Sequence, residues 1–171
     1  DLLFNVNVLG PLCLSGAFLN DIKQNKGAIL FNSPPYKIDE KTTRIMPYMQ
    51  SKLAQTTLMK SLSNSLPPST ALISSFWTDY PLATDAILKR GVGEINDCLD
   101  PLILAETVEE MIWGVQPQDI HGKEIVDDTF LKERGISIDR YILDPRRRTG
   151  GSLPPPQKLD KLFMSFLRKN S

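Results

Sequence analysis

Gly27-Ala28-Ile29-Leu30-Phe31-Asn32-Ser33-Pro34-Pro35 is the stretch that decides the fold class. It is a short unbroken apolar run closed by two prolines, which is how a strand buried on both faces of a parallel sheet reads. Thr70–Trp77 is a second strand candidate, and Gly122 opens a third strand, Lys123–Asp127. Helices are expected between them. One runs from Pro47 to about Leu66, with Pro47 in its first turn, Ala54, Leu58 and Leu62 as a stripe, and Pro67-Pro68 as its stop. A short one covers Ala83–Arg90 and ends at Gly91. Another starts at Asp100-Pro101 and turns Leu102, Ala105, Val108 and Ile112 inward to about Val115. Residues 1–24 pattern as a mostly apolar helix, largely buried, with Leu2, Val6, Leu9 and Cys13 on one face and Gly10-Pro11 in its middle. Strands alternating with helical crossovers predict an α/β protein, a parallel sheet with helices on both faces.

Composition narrows the function classes. The 171 residues are 41% hydrophobic and 23% charged, enough for one globular core. Twenty basic residues balance twenty acidic ones, so no electrostatic footprint for nucleic acid or an anionic membrane exists. No unbroken apolar run approaches the roughly 18 residues of a membrane span, and the first residues lack a signal-peptide layout. Cys13 and Cys98 are too few and too far apart for a disulfide framework or a zinc site, and their leucine neighbours predict buried thiols. The expected location is intracellular: cytoplasmic, with mitochondrion and peroxisome as alternatives. Asp1 is followed directly by apolar residues, which reads as the middle of a longer chain.

Two regions are expected, 1–145 as the α/β body and 146–171 as a tail. The tail combines Arg146-Arg147-Arg148, Pro154-Pro155-Pro156 and an amphipathic helix over Lys158–Lys169 that needs somewhere to dock. The arginine run reads as solvated, and His121 as solvent-facing in a turn. Asp127 and Asp128 read as strand-end and turn residues rather than a catalytic pair. No metal ligand set is visible.

The chemistry lies in Asn7, Ser33, Tyr48 and Lys52. Tyrosine and lysine four apart on a helix share a face, about 5–6 Å between Cβ atoms, so an ammonium can lower a phenol's pKa and make it a usable acid or base. Ser33 ends the first strand, where open parallel sheets bind ligands. Pro11 has no N–H for the carbonyl of Asn7, so a kink and a free acceptor coincide there. A hydroxyl, a phenol, an ammonium and a carbonyl converging on one crevice can hold and protonate a carbonyl oxygen.

This layout resembles the short-chain dehydrogenase/reductase superfamily, whose Asn, Ser and Tyr-x-x-x-Lys tetrad falls in the same order, here at intervals of 26, 15 and 4 residues. Asn5–Gly10 is similar to the family's Asn-bearing helix and Gly27–Ser33 to its serine-ending strand. The resemblance covers nearly the whole chain and implies a doubly wound, Rossmann-type sheet whose first strands are missing. It implies NAD- or NADP-dependent interconversion of a small-molecule alcohol and carbonyl. Tyr48 would be the acid/base, Lys52 would lower its pKa and hold the nicotinamide ribose, Ser33 would bind the substrate oxygen, and Asn7 would position a relay water. Trp77 and Thr84 would border the nicotinamide; Tyr36 and Ala83–Gly93 would wall the substrate.

The chain also departs from the family pattern. It has no Gly-x-x-x-Gly-x-Gly turn, and Thr78-Asp79 stands where the family has Pro-Gly. The chain alone is therefore expected to be inactive, needing a missing amino-terminal half or another copy bound through helices 1–24 and 47–66. The alternative function is a non-catalytic interaction or dimerisation module. A hydrolase using Ser33 as nucleophile is disfavoured, because Ser33 lacks the Gly-x-Ser-x-Gly elbow.

Overall fold

The computed structural model describes residues 2–36, 46–89 and 94–158. They fall into two compact units, one drawn from Asp1–Trp77 and Val108–Val126, the other from Thr78–Thr107 and Asp127–Ser171.

The first unit holds the sheet. Strands β1 (Ala28–Asn32), β2 (Leu72–Trp77) and β3 (Glu124–Val126) are parallel and ordered β1-β2-β3. Ala28 to Asn32 lie opposite Leu72 to Phe76, and Ser75 to Trp77 opposite Glu124 to Val126. The three strand candidates are thus the three strands, as expected of an α/β chain, although β1 is buried only at Phe31, with Ala28 and Asn32 exposed. Helix α1 (Leu2–Asn25) precedes β1, and α2 (Met46–Ser65) leads to β2. Phe31, Met59, Ala71 and Ile73 form the buried core, with Ile22 of α1 and Leu58 and Leu62 of α2 packed on it. Each buried side chain of this size contributes about 1.5–3 kcal/mol. His121 is not solvent-facing: Nδ1 accepts the Ile73 N–H at 3.2 Å, so Nε2–H donates to the Ser63 carbonyl at 3.0 Å. The ring ties the end of α2 to the central strand.

Helix α1 differs most from expectation. Leu2, Val6 and Leu14 are 77%, 61% and 61% exposed, and Ser15 alone is buried in Gly10–Asn25. The helix is apolar around much of its circumference, and α2 and the sheet cover one side only. By length and composition, with a hydropathy of 1.7, it is long and apolar enough to cross a membrane. Counting unbroken runs missed this, because Asn5, Asn7 and Gly10-Pro11 interrupt the apolar sequence. Cys13 lies exposed on this helix instead of buried; Cys98 is buried, and burial pushes its thiol up to about 11. Among the described residues β1 pairs only with β2. A cleft of about 660 Å³ lies along β1, flanked by Leu14, Phe18 and Ile22.

In the second unit, Leu99 bridges Leu82 in parallel and Ile142 antiparallel. Short helix α3 spans Asp85–Leu88. Helix α4 (Leu102–Glu109) starts as the sequence predicts, with the Asp100 carboxylate accepting the Leu102 N–H at 2.9 Å, and passes into a wider π turn, Glu110–Gly114. The π turn and the one-turn helix α5 (Pro117–Ile120), which leads toward β3, belong to the first unit. Helix α6 (Asp127–Glu133) was not foreseen, because Asp127-Asp128 read as strand end and turn. Two acids in the first turn suit the positive end of a helix dipole. The arginine run is solvated only in part: Arg146 and Arg148 are exposed, with Arg148 donating to the Ile142 carbonyl at 3.0 Å, whereas Arg147 pairs with Asp97 at 2.6 Å and donates to the Pro154 carbonyl at 3.1 Å. Lys158 bridges Asp79 at 2.8 Å and Asp128 at 3.1 Å. The expected loop to Arg44, the Gly91 stop and the tail helix beyond Lys158 lie outside the described residues.

Asp127 is fully buried and one of its oxygens, Oδ2, has no partner among the described residues. Burial pushes its carboxyl up to about 6 from 3.8, against hydrogen bonds from Thr78 and the Asp128 N–H. Between these values the folded chain holds a proton that the unfolded chain has released, so stability falls as pH rises from about 4 through 6. The effect is on the order of 1–3 kcal/mol. Urea unfolding across that window should show this slope in the wild type and lose it in Asp127→Asn; equal slopes would refute the assignment.

Candidate active site

Tyr48 and Lys52 lie on the first two turns of α2, and Ser33 follows β1 directly. The Ser33 N–H extends the β1–β2 ladder, donating to the Phe76 carbonyl at 3.1 Å. Its Oγ is fully buried and has no partner among the described residues. Leaving a buried hydroxyl unpaired costs about 1–3 kcal/mol, so such groups call for an explanation. Ser75 Oγ, within β2, is likewise unpartnered.

The Lys52 Nζ donates to the Asn32 carbonyl at 2.9 Å and to Gln55 Oε1 at 3.4 Å. It sits 6.0 Å from the centroid of the Tyr48 ring. An ammonium carries three donors, so among the described residues one remains for a further acceptor. The expectation that Lys52 lowers the phenol's pKa does not hold in this state. Burial dominates both groups, pushing Tyr48 up and Lys52 down. The ammonium is engaged at the end of β1 and leans over the ring. Tyr48 is nevertheless 39% exposed and accessible to a ligand.

Asn7 joins the site through its side chain. Its Nδ2 donates to Ser51 Oγ at 2.9 Å, and Ser51 Oγ donates to the Tyr48 carbonyl at 2.7 Å. Ser51 is fully buried and ties α1 to the turn that presents the phenol. Neither Ser51 nor Gln55 was singled out from sequence, although each is one helical turn from a residue that was. The expected kink at Pro11 takes the form of a widened turn: Asn5–Leu9 is π-helical, and the Gly10 N–H reaches the Asn5 carbonyl. A π turn absorbs the missing proline donor by a register slip, and such turns are frequent at functional sites. Asn7 lies in the middle of it.

Trp77 ends β2 opposite Val126 and is half-buried. Thr84 lies in the second unit, extended immediately before α3, with no capping bond from its side chain. Among the described residues no group of three His, Cys, Asp or Glu side chains could hold a metal ion.

No protein-family model matches the chain. It is 27% identical over 149 residues to mouse hydroxysteroid dehydrogenase-like protein 2, which covers 85% of this chain and 30% of that protein. A Xanthomonas campestris protein assigned as a dehydrogenase superposes with a TM-score of 0.76 at 25% identity, over 86% of this chain and 55% of that one. A short-chain dehydrogenase from Mycobacterium thermoresistibile gives 0.70 at 21%, over 81% and 52%. The fold is that of the short-chain dehydrogenases/reductases. A 4-hydroxyisoleucine dehydrogenase solved with NADH and succinate shares this dehydrogenase fold at a TM-score of 0.52 and 18% identity, over 72% of this chain and 54% of that one. The chain therefore spans about half the length of these dehydrogenases and under a third of the mouse relative. Its three strands are part of the Rossmann-type sheet on which they are built.

Proposed function

We propose that this chain supplies the acid/base half of an NAD(P)-dependent oxidoreductase that interconverts a small-molecule alcohol and carbonyl. The observation that carries the reading is the buried Ser33 hydroxyl at the end of β1, unpartnered among the described residues, on the chain that also presents a half-exposed Tyr48 with Lys52 over its ring. Donors aimed at a site where charge develops on oxygen are the usual source of such catalysis.

The residues fit a nicotinamide nucleotide. Among the described residues Lys52 retains a donor for a ribose hydroxyl, and Trp77, in the same unit, is the candidate to border the ring. A bound reduced nicotinamide supplies hydride to the carbonyl carbon. Ser33 donates to the carbonyl oxygen and fixes its direction. Tyr48 donates the phenolic proton as that oxygen gains charge, leaving an alcohol and a phenolate. Lys52 stabilises the phenolate, and Asn7, held by Ser51, places the water that returns the proton. Because burial pushes Tyr48 up, the phenol is protonated at neutral pH and suited to reduction. Alcohol oxidation needs the phenolate and should rise toward alkaline pH.

The test is NADH consumption with benzaldehyde by this chain joined to a complete nucleotide-binding sheet, beside the 171-residue chain alone. Consumption by the former supports the reading; none by either removes it. A second reading, a non-catalytic pairing module, is favoured by the exposed apolar side of α1 and the open edge of β1. It predicts self-association of the 171-residue chain in sedimentation without NADH consumption in either form.

A further inference from the structure

The segment leaving β1 is held at three points. The Ser33 N–H bonds the Phe76 carbonyl at 3.1 Å, and the buried Thr56 hydroxyl, one turn beyond Lys52 on α2, donates to the Pro34 carbonyl at 2.7 Å. The third point is remote in sequence. The Tyr36 N–H donates to Glu124 Oε2 at 3.0 Å, from β1's exit to the first residue of β3. Glu124 is itself anchored: Oε1 meets Lys60 Nζ at 3.0 Å, and Lys60 also donates to the Gly122 carbonyl at 2.8 Å. The Glu124 side chain is 19% exposed, so this carboxylate is mostly withdrawn from water. A carboxylate accepting a backbone N–H makes a stronger bond than a neutral acceptor. Beyond it the Tyr36 ring stands 57% exposed. No motif marks Glu124 or Lys60, since their partners are Tyr36 and a turn far along the chain.

We propose that Glu124, anchored by Lys60, is a positioning residue that fixes the Ser33–Tyr36 segment and so places the Tyr36 ring as a wall that selects substrates by size. This rests on the oxidoreductase reading. Two prolines stiffen the segment, so fixing its far end also limits the freedom of Ser33 at its near end. A wall held from its outer end discriminates by contact with the substrate body rather than with the reacting oxygen, so its loss should fall on KM more than on kcat.

The experiment uses the protein with its complete nucleotide-binding sheet, NADH, and benzaldehyde and acetone as bulky and compact probes. Wild type, Glu124→Ala, Glu124→Gln, Lys60→Met and Tyr48→Phe are compared by the ratio of kcat/KM for the two probes and by hydrogen exchange at the Tyr36 amide. Glu124→Ala should change the ratio about tenfold, mainly through KM, and speed Tyr36 exchange about as much. Glu124→Gln should keep both within about twofold, since its amide oxygen still accepts the N–H. Lys60→Met should move both part way in the Ala direction, and it decides the matter if Glu124→Ala does not fold. An unchanged ratio in Glu124→Ala, or in Lys60→Met when that variant decides, while Tyr48→Phe abolishes turnover, overturns the positioning role alone. Turnover that survives Tyr48→Phe, or that is absent in the wild type, overturns the oxidoreductase reading and this inference with it.

Discussion

Tyr48→Phe is expected to lower NADH-dependent carbonyl reduction roughly a hundred- to ten-thousandfold, the range associated with removing a positioned general acid. In the proposed mechanism the phenol is the group that gives its proton to the developing alkoxide, while the Lys52 ammonium stays engaged by the Asn32 carbonyl and Gln55. Burial pushes Tyr48 up and Lys52 down, so at pH 7 the phenol carries its proton. Phenylalanine keeps the ring, and with it the surface over which Lys52 lies, so α2 should keep its packing. The Ser51 bond is to the Tyr48 backbone carbonyl and survives the substitution. NADH affinity should therefore change little, because the Lys52 donor remains in place. The measurement is a split: kcat falls while the NADH dissociation constant, read by fluorescence, stays within a few-fold. A loss of NADH binding equal to the loss of kcat would make Tyr48 a binding residue instead of the acid.

Ile73→Ala should destabilise the chain by about 4 kcal/mol, within the range for emptying a well-packed site of an Ile or Leu side chain. Ile73 has no exposed surface and lies in the central strand opposite Ile29, in the core formed with Phe31, Met59 and Ala71. Its N–H is also the donor that His121 accepts, so the backbone is fixed on the side of the turn as well as along the ladder. A site pinned in this way cannot collapse into the space left behind. Such a loss is a large share of the 5–15 kcal/mol available to a typical domain. Urea unfolding should give a much lower midpoint for Ile73→Ala and a loss of about 1 kcal/mol for Ile73→Val. Similar losses for the two would mean that the core relaxes around the missing atoms.

The legible parts of this protein were those whose cause is local. The stretches ending at Ser33, Trp77 and Asp127 could be read as strands because each is a short segment with apolar or β-branched residues bounded by Gly or Pro. The prolines at 47 and 67–68 and the cap at Asp100 showed where helices start and stop, because helix ends have specific backbone needs. The Tyr48–Lys52 pair was visible because helical pitch alone puts four-apart residues on one face. Helix α6 was hidden by its own start, since two aspartates suit a turn as well as a helix N-terminus.

What the sequence by itself determined is therefore the α/β class, the three strands and the presence of an Asn, Ser, Tyr and Lys at intervals that suit one crevice. Only the tertiary structure decided how those groups are held and charged. Ser51 links Asn7 to α2, the Asn32 carbonyl engages Lys52, and Glu124 reaches Tyr36, all through contacts made across folded elements. The direction of the Tyr48 shift was reversed for the same reason. Spacing along a helix tells which charge is near, whereas the cost of taking that charge out of water depends on everything packed around it.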